Sequence, residues 1–383
     1  MKALQPKKRK ACSMQVKNKR MEHFGKFVLF LILAINAFTI GMLILTAYSP
    51  YFDPRVHPLA SCLGIIFPVF LAINICFLIF WIVINYRFAL LPLVGLLICF
   101  PQIRTYIPMN FKTKSIPEGS IKLLSYNVMS FSNLKKENGK NPILTYLANS
   151  DADIICLQEY NAVEKKKYVT EQDIKKALKA YPYYSIRPQG KGDVQLACFS
   201  KFPILSVQSI KYESNYNGSI KYTLKVNEDT ITLINNHLES NKLTKEDRGI
   251  YEAMIKDPNA KKVKSGLRQL VGKFAEATTL RASQVDSVSK AIANSDYPTI
   301  IACGDFNDVS ISYTHRILTQ KLADAFTQSG RGLGISYHQN KFYFRIDNIL
   351  LSQNLEAYNC TVDRSIKASD HYPIWCYISK GKH

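Results

Sequence analysis

The stretch Thr299-Ile300-Ile301-Ala302-Cys303-Gly304-Asp305-Phe306-Asn307-Asp308 decides how this chain is read. Pro298 precedes it, and the run from Thr299 to Cys303 holds only small or β-branched residues, the pattern of a strand buried on both faces. The run stops at Asp305, and Asn307 follows two positions on, on the same side if the backbone stays extended. Asp305 can take a proton or hold a metal, and Asn307 can donate to a phosphate oxygen. An Asx turn closing a strand would also account for this one segment. Other strands end in the same way, and together they weigh against that explanation.

Working outward, the 383 residues have room for two or three domains, and 47% hydrophobic content supports a sizeable core. The net charge of +21 is uneven: before residue 27, nine Lys or Arg stand against Glu22 alone. The remainder is generally basic, which suits nucleic acid, anionic head groups or phosphorylated small molecules. Nine cysteines occur without C-x-x-C spacing, so zinc ribbons and dithiol redox motifs are excluded. Most of them (Cys62, Cys76, Cys99, Cys156, Cys198, Cys303, Cys376) sit in apolar runs, where cysteine behaves as a small buried hydrophobe.

Residues 1–26 read as a basic cytoplasmic tail and residues 27–108 as a membrane anchor, with helices predicted at about 27–48, 59–85 and 88–106. The third is the shortest run and contains Pro92 and Pro101. The cluster Lys7-Lys8-Arg9-Lys10 abuts the first run, so the positive-inside rule keeps the N-terminus cytoplasmic. If the third run crosses, the remainder lies outside the cytoplasmic membrane, the reading favoured here; if it is re-entrant, the remainder stays inside. The three apolar runs carry no buried ionisable residue, so no transport or proton path is indicated. A bilayer is the expected partner, and no protein partner is expected.

Residues 109–383 alternate short apolar strands with polar loops and helical stretches. Ile121 to Val128 is a strand carrying Asn127, and Ile154 to Glu159 is a second, ending in a carboxylate that is costly unless it meets a cation or donors. Helices are predicted over Asn141–Asn149 and Thr170–Ala180, and an apolar stripe of Ala282, Val285, Val288, Ile292 and Ala293 marks a further helix. Strands follow at Val194–Phe199, Ile204–Ile210 and Ile220–Val226. Thr230 to Ser240 ends in Asn236-His237-Leu238, and an imidazole there suits proton transfer or phosphate recognition. Phe344 to Ser352 is read as a strand with Asp347 inside it, and Asp370-His371 stand at the entrance of a last strand, Ile374 to Ile378. The charged segment from Asn241 to Lys273 shows no strong periodicity and is left as either a helical insertion or a substrate-facing loop.

Asn127, Glu159, His237, Asp305 with Asn307, Asp347, and Asp370 with His371 thus supply hard oxygen ligands, two imidazoles and neutral amides. That inventory suits attack of water on a phosphate ester beside Mg²⁺. Ser125-Tyr126-Asn127-Val128, Leu157-Gln158-Glu159, Asn236-His237-Leu238, Gly304-Asp305-Phe306-Asn307, Arg345-Ile346-Asp347-Asn348-Ile349-Leu350 and Ser369-Asp370-His371-Tyr372-Pro373 stand in one order. In this ordered set the chain resembles the endonuclease/exonuclease/phosphatase superfamily, which includes deoxyribonuclease I, abasic-site endonucleases, neutral sphingomyelinases and inositol polyphosphate phosphatases.

The resemblance covers about residues 119 to 380 and implies an α+β fold, a four-layer αββα sandwich like that of deoxyribonuclease I. Carried over motif by motif, it implies Glu159 as the principal Mg²⁺ ligand, with Mn²⁺ a possible substitute and Asn127 and Asp370 assisting. It implies His371, oriented by Asp347, as acid/base or phosphate contact, and Asp305 as activator of water. Asn307 would donate to a non-bridging oxygen, and His237 would stabilise charge on the phosphate or serve the leaving group. The expected activity is a metal-dependent phosphoesterase, most readily a phosphodiesterase, acting on nucleic acid or on a phospholipid or sugar-phosphate head group. A non-catalytic membrane protein binding a phosphorylated ligand is the alternative. One departure is Gly190-Lys191-Gly192-Asp193-Val194-Gln195 where the family often has a glycine-rich turn, so Arg187 and Lys191 are read as solvated loop charges before phosphate contacts.

Overall fold

The structure is a computed structural model. It describes residues 6–381 except 135–139, 164–167, 191, 243, 245, 248, 250–259 and 340–341, with side chains from residue 23 onward apart from 133–134 and 260–265. The chain divides into two compact units, Met1–Ala47 with Ile66–Phe100, and Tyr48–Ile65 with Pro101–His383.

The first unit is helical. Helix Pro6–Ala47 continues the basic tail into an apolar stretch, and helix Phe67–Ile84 follows. His23–Ala47 and Pro58–Ile84 are long and apolar enough to cross a membrane. Two polar bridges join these helices: Trp81 Nε1 donates to Asn36 Oδ1 at 2.9 Å, and Asn74 Nδ2 donates to the Thr39 carbonyl at 3.0 Å. Such bonds are a common glue where both neighbours and solvent are apolar. The third predicted span is not one straight helix, for Tyr86–Ile98 and Phe100–Tyr106 meet at 65°. Pro101 accounts for the break, because its ring clashes with the carbonyl four residues back and it has no N–H to donate.

The second unit contains two six-stranded sheets. The first has the order β11-β12-β1-β2-β4-β3, with β1 Ile121–Asn127, β2 Ile154–Tyr160, β3 Tyr183–Pro188, β4 Gln195–Ser200, β11 Leu355–Val362 and β12 Ile374–Lys380. The second has the order β5-β6-β7-β8-β10-β9, with β5 Ile204–Ser209, β6 Gly218–Val226, β7 Asp229–His237, β8 Ile300–Asp305, β9 Ala323–Asp324 and β10 Asp347–Leu351. Each sheet is built around one parallel pair, β1 with β2 and β7 with β8, flanked by antiparallel neighbours.

Leu123, Cys156, Cys198, Tyr222, Leu233, Ile301, Cys303, Ile349 and Cys376 fill the space between the sheets. On the outer face of the first, Ile143, Leu147 and Ile174 from helices Pro142–Ala148 and Glu171–Ala177 pack on Leu124, Ile155 and Leu157. On the outer face of the second, Ala282, Val285, Val288 and Ile292 of helix Ala260–Ala293 pack on Ile234, Ile300 and Ala302. The result is the four-layer αββα sandwich. The central strands are largely buried on both faces, which is why β2 and β8 read as apolar runs up to their polar ends.

Several local expectations change. Asp347 opens β10 instead of lying inside a strand, because Phe344 is taken up in a bridge with Tyr337. Ala293 is exposed at the end of its helix, and Cys76 is exposed on helix Phe67–Ile84. Helix Glu171–Ala177 stops short of Ala180 and begins at a capping box of Thr170 and Asp173. β3, β9 and β11 carried too little unbroken apolar sequence to be read; β3, for example, is an exposed edge strand beginning Tyr183-Tyr184.

The segment Tyr48–Ile65 belongs to this second unit. Arg55 binds Asp286 at 2.6 Å and the Tyr313 hydroxyl at 3.1 Å, and Thr279 donates to the Pro54 carbonyl at 3.1 Å. At the other tether, Arg345 Nη2 donates to the Thr105 carbonyl at 2.5 Å and Gly332 N–H to the Pro108 carbonyl at 2.8 Å.

Candidate active site

Parallel strands end on the same edge, and their antiparallel partners begin there. That topology gathers the polar residues: Asn127 and Glu159 finish β1 and β2, His237 and Asp305 finish β7 and β8, Asp347 begins β10, and Asp370-His371 lead into β12. Register fixes the neighbours, since Asp305 pairs with both His237 and Asp347. Glu159 takes a left-handed φ of 50° where β2 bulges against β4, which turns its carboxylate off the alternation of the strand. Gly304 has φ 127°, and a Cβ there would lie 2.0 Å from the Asn236 carbonyl oxygen, so β7 and β8 approach closely only with glycine at this position.

All the side chains expected from the sequence come together. Asn127 Nδ2 donates to Glu159 Oε1 and to Asp305 Oδ2, both at 3.1 Å, while its Oδ1 accepts the Met129 N–H. His237 Nε2 is 3.8 Å from Glu159 Oε1 and 3.7 Å from Asp305 Oδ2. His371 Nε2 lies 3.6 Å from the same Asp305 oxygen, and its Nδ1 is 2.8 Å from Asp347 Oδ2. Asn307, left-handed at φ 52°, gives its N–H to Asp305 Oδ1 at 2.8 Å and one amide hydrogen to the Leu238 carbonyl at 2.9 Å. Its second amide hydrogen is left for a ligand. Asp370, Glu159, Asn307 and both histidines line one cleft of about 220 Å³. Arg187 is exposed on the edge strand β3, and Lys191 lies outside the described residues.

The electrostatics divide the two histidines. Burial depresses His237 and outweighs the pull of Asp305, so its ring is neutral near pH 7. The Gln189 amide sits 2.9 Å from its Nδ1, and with that amide donating the remaining proton is on Nε2, facing the carboxylates. Burial would depress His371 as well, but Asp347 and Asp305 reverse this and push it well above the usual histidine value. Burial, reinforced by Asp347, pushes Asp305 up to about 6 against the opposing pull of the histidines. Glu159 is likewise raised, by burial first and then by Asp370 and Asp347, with the Asn127 amide opposing.

The sequence profile of the Endonuclease/Exonuclease/phosphatase family matches residues 124–371. The chain belongs to this family. Residues 27–106 match a second profile, the Domain of unknown function (DUF8431). Similar solved structures of the fold include the human Nocturnin catalytic domain with bound sulfate anion, at 17% identity and TM-score 0.48, covering 68% of this chain and 94% of that one. A humanised D. rerio TDP2 with 14 mutations matches at 16% identity and TM-score 0.49, covering 69% and 100%. An endonuclease/exonuclease/phosphatase from Bacteroides vulgatus matches at 14% and 0.47, covering 68% and 99%. No curated protein matches the chain.

The donor set suits the divalent cation that the endonuclease/exonuclease/phosphatase family implies. Glu159, Asp305 and Asp370 line one cleft as hard oxygen donors, and burial first, then the neighbouring carboxylates, raises Glu159 and Asp305. Asp347 Oδ1 is buried without a partner. Asp305, Asp347 and His371 form the tightest cluster of potential ligands among the described residues. The 2.8 Å bond of Asp347 to His371 marks that pair as an oriented imidazole more than as a free ligand set.

Sequence reading missed the supports. Gln189 holds His237, and Ser369 donates to the Asn127 carbonyl at 2.7 Å while accepting the His371 N–H. Arg281, buried on helix Ala260–Ala293, donates to Asp308, the Glu239 carbonyl and Asn241, tying the loop after His237 to the loop after Asp305. Arg281 stands beside Ala282 of the apolar stripe, and a cation in that position was the signal available.

Proposed function

We propose that this protein is a membrane-anchored, divalent-metal-dependent phosphodiesterase that hydrolyses its substrate by direct attack of water. The observation that carries the reading is the Asp305 carboxylate, buried and raised to about 6, within 3.7 Å of both imidazoles and beside crowded carboxylates. A carboxylate held near neutrality is matched to taking a proton from water.

Glu159 and Asp370, with Asn127 Oδ1, would hold Mg²⁺ or Mn²⁺. When bound, the cation supplies Lewis-acid stabilisation of a phosphoryl oxygen. Asp305 orients the attacking water and receives its proton. Asn307 gives its second amide hydrogen to a non-bridging oxygen, and His237 Nε2–H donates to the phosphate or the departing oxygen. His371, kept cationic by Asp347, offers Nε2–H to the phosphoryl group as charge develops on it.

The anchoring side is part of the same proposal. Tyr48–Ile65 groups with the catalytic sandwich in one compact unit, which supports placing both on one side of the membrane. With the bent third segment crossing and the basic tail cytoplasmic, the sandwich would stand outside. Protease added to intact spheroplasts should degrade it; full protection would place it inside.

The activity test uses the full chain in detergent with Mg²⁺. Bis(p-nitrophenyl) phosphate should be hydrolysed faster than p-nitrophenyl phosphate, and both rates should fall to background with chelator. Faster hydrolysis of the monoester would make the protein a phosphatase instead.

A further inference from the structure

The catalytic cleft has an apolar lining that the phosphoryl chemistry does not use. Ile65, Phe274, Val309, Phe342, Phe344 and Ile346 line the cleft together with the carboxylates and imidazoles. Ile65 comes from the segment between the first two apolar helices. Phe67, two residues later and so no more than about 7 Å away along the chain, begins the helix Phe67–Ile84. Those 18 residues span about 27 Å, close to the thickness of a hydrocarbon core. Ile65 of the cleft is thus joined within two residues of chain to Phe67–Ile84, part of the stretch Pro58–Ile84 that is long and apolar enough to cross a membrane. A second tether agrees: Arg345, next to Ile346 of the cleft, binds the Thr105 carbonyl, one residue before the end of the third apolar segment.

Resting on the phosphodiesterase reading, we propose that the substrate is a phosphodiester lipid of the membrane in which this chain is anchored, its head-group phosphate reaching the carboxylates and its apolar portion lying against Ile65 and the phenylalanines. A water-soluble diester would leave that lining exposed, whereas a lipid rising from the adjacent leaflet covers it without leaving the bilayer. The water oxygen joins phosphorus, one P–O ester bond breaks, and the proton passes to the departing alcohol oxygen. The products are one alcohol and one phosphomonoester.

The test is to reconstitute the full chain with Mg²⁺ in vesicles of equal parts phosphatidylethanolamine, phosphatidylglycerol, phosphatidylinositol and sphingomyelin, and to follow new phosphomonoester by ³¹P NMR. Bis(p-nitrophenyl) phosphate and supercoiled plasmid are assayed on the same preparation. Lipid turnover at least about tenfold above both soluble diesters is expected, and Ile65→Asp should lower the lipid-to-soluble ratio by about tenfold or more. Ile65→Ser reads the same ratio should the Asp variant fail to fold. Hydrolysis of the soluble diester or plasmid without lipid turnover, or an unchanged ratio in the Ile65 variants, overturns the lipid assignment and leaves the phosphodiesterase standing. Folded protein that cleaves none of the three overturns both.

Discussion

Asp347 accepts the Nδ1 proton of His371 at 2.8 Å, with both side chains buried at the edge where β10 begins and β12 is about to begin. The bond fixes which nitrogen faces the substrate and, with Asp305, keeps the ring cationic. Asp347→Asn should lower kcat by about 100-fold or more and move the His371 titration down in an NMR pH series. A lowered kcat with His371 titrating as before would make Asp347 merely structural.

Asp305 is raised to about 6, and its ionised form is the one that takes a proton. Activity should therefore fall as the pH drops and Asp305 protonates, with the acidic limb at or below about 6 because a bound cation draws the carboxylate down. The pH profile of kcat/KM at saturating Mg²⁺ checks this. A flat profile from pH 5 to 8 would remove Asp305 as the base.

Gly304 and Gly119 both have positive φ, but only Gly304 faces backbone within clashing distance. Gly304→Ala should cost about 3 kcal/mol or more, against about 1 kcal/mol for Gly119→Ala. Thermal unfolding of the detergent-solubilised full chain separates the two, and equal midpoints would show that the close approach of β7 and β8 is not needed.

Asp324 is buried beside Arg345 and His315, which overturn the effect of burial and hold its carboxyl well below the usual range. A carboxyl depressed in the folded state stabilises above its unfolded value and loses that contribution as pH falls toward the folded one. The difference in unfolding midpoint between wild type and Asp324→Asn should be large at pH 6 and shrink below about pH 4. A gap that widens on acidification would contradict the assignment.

How much of this was legible depended on burial. β2 and β8 announced themselves because strands buried on both faces are continuously apolar, β7 by its β-branched alternation, and β1 and β10 by mostly apolar runs, and a polar residue at the end of such a run has to be explained. The site residues were therefore found before their geometry. Gln189 and Ser369 were not, because they act through single bonds to backbone or a ring and leave no pattern in one sequence. β3 and β11 alternate weakly at sheet edges, and Pro101 marks a weak point in the third apolar run without giving the 65° angle found there. The bulge that turns Glu159 is likewise invisible in an apolar run, since nothing in Leu157-Gln158-Glu159 marks a left-handed residue.

The central claim is that Glu159 holds a metal that the hydrolysis requires. Its most direct test is the rate of bis(p-nitrophenyl) phosphate hydrolysis by the full chain as a function of free Mg²⁺, with Glu159→Gln beside it. The expected result is saturable activation from a chelated background, with the variant needing at least about tenfold more Mg²⁺. A rate indifferent to chelator, or the same Mg²⁺ dependence in both proteins, would contradict it.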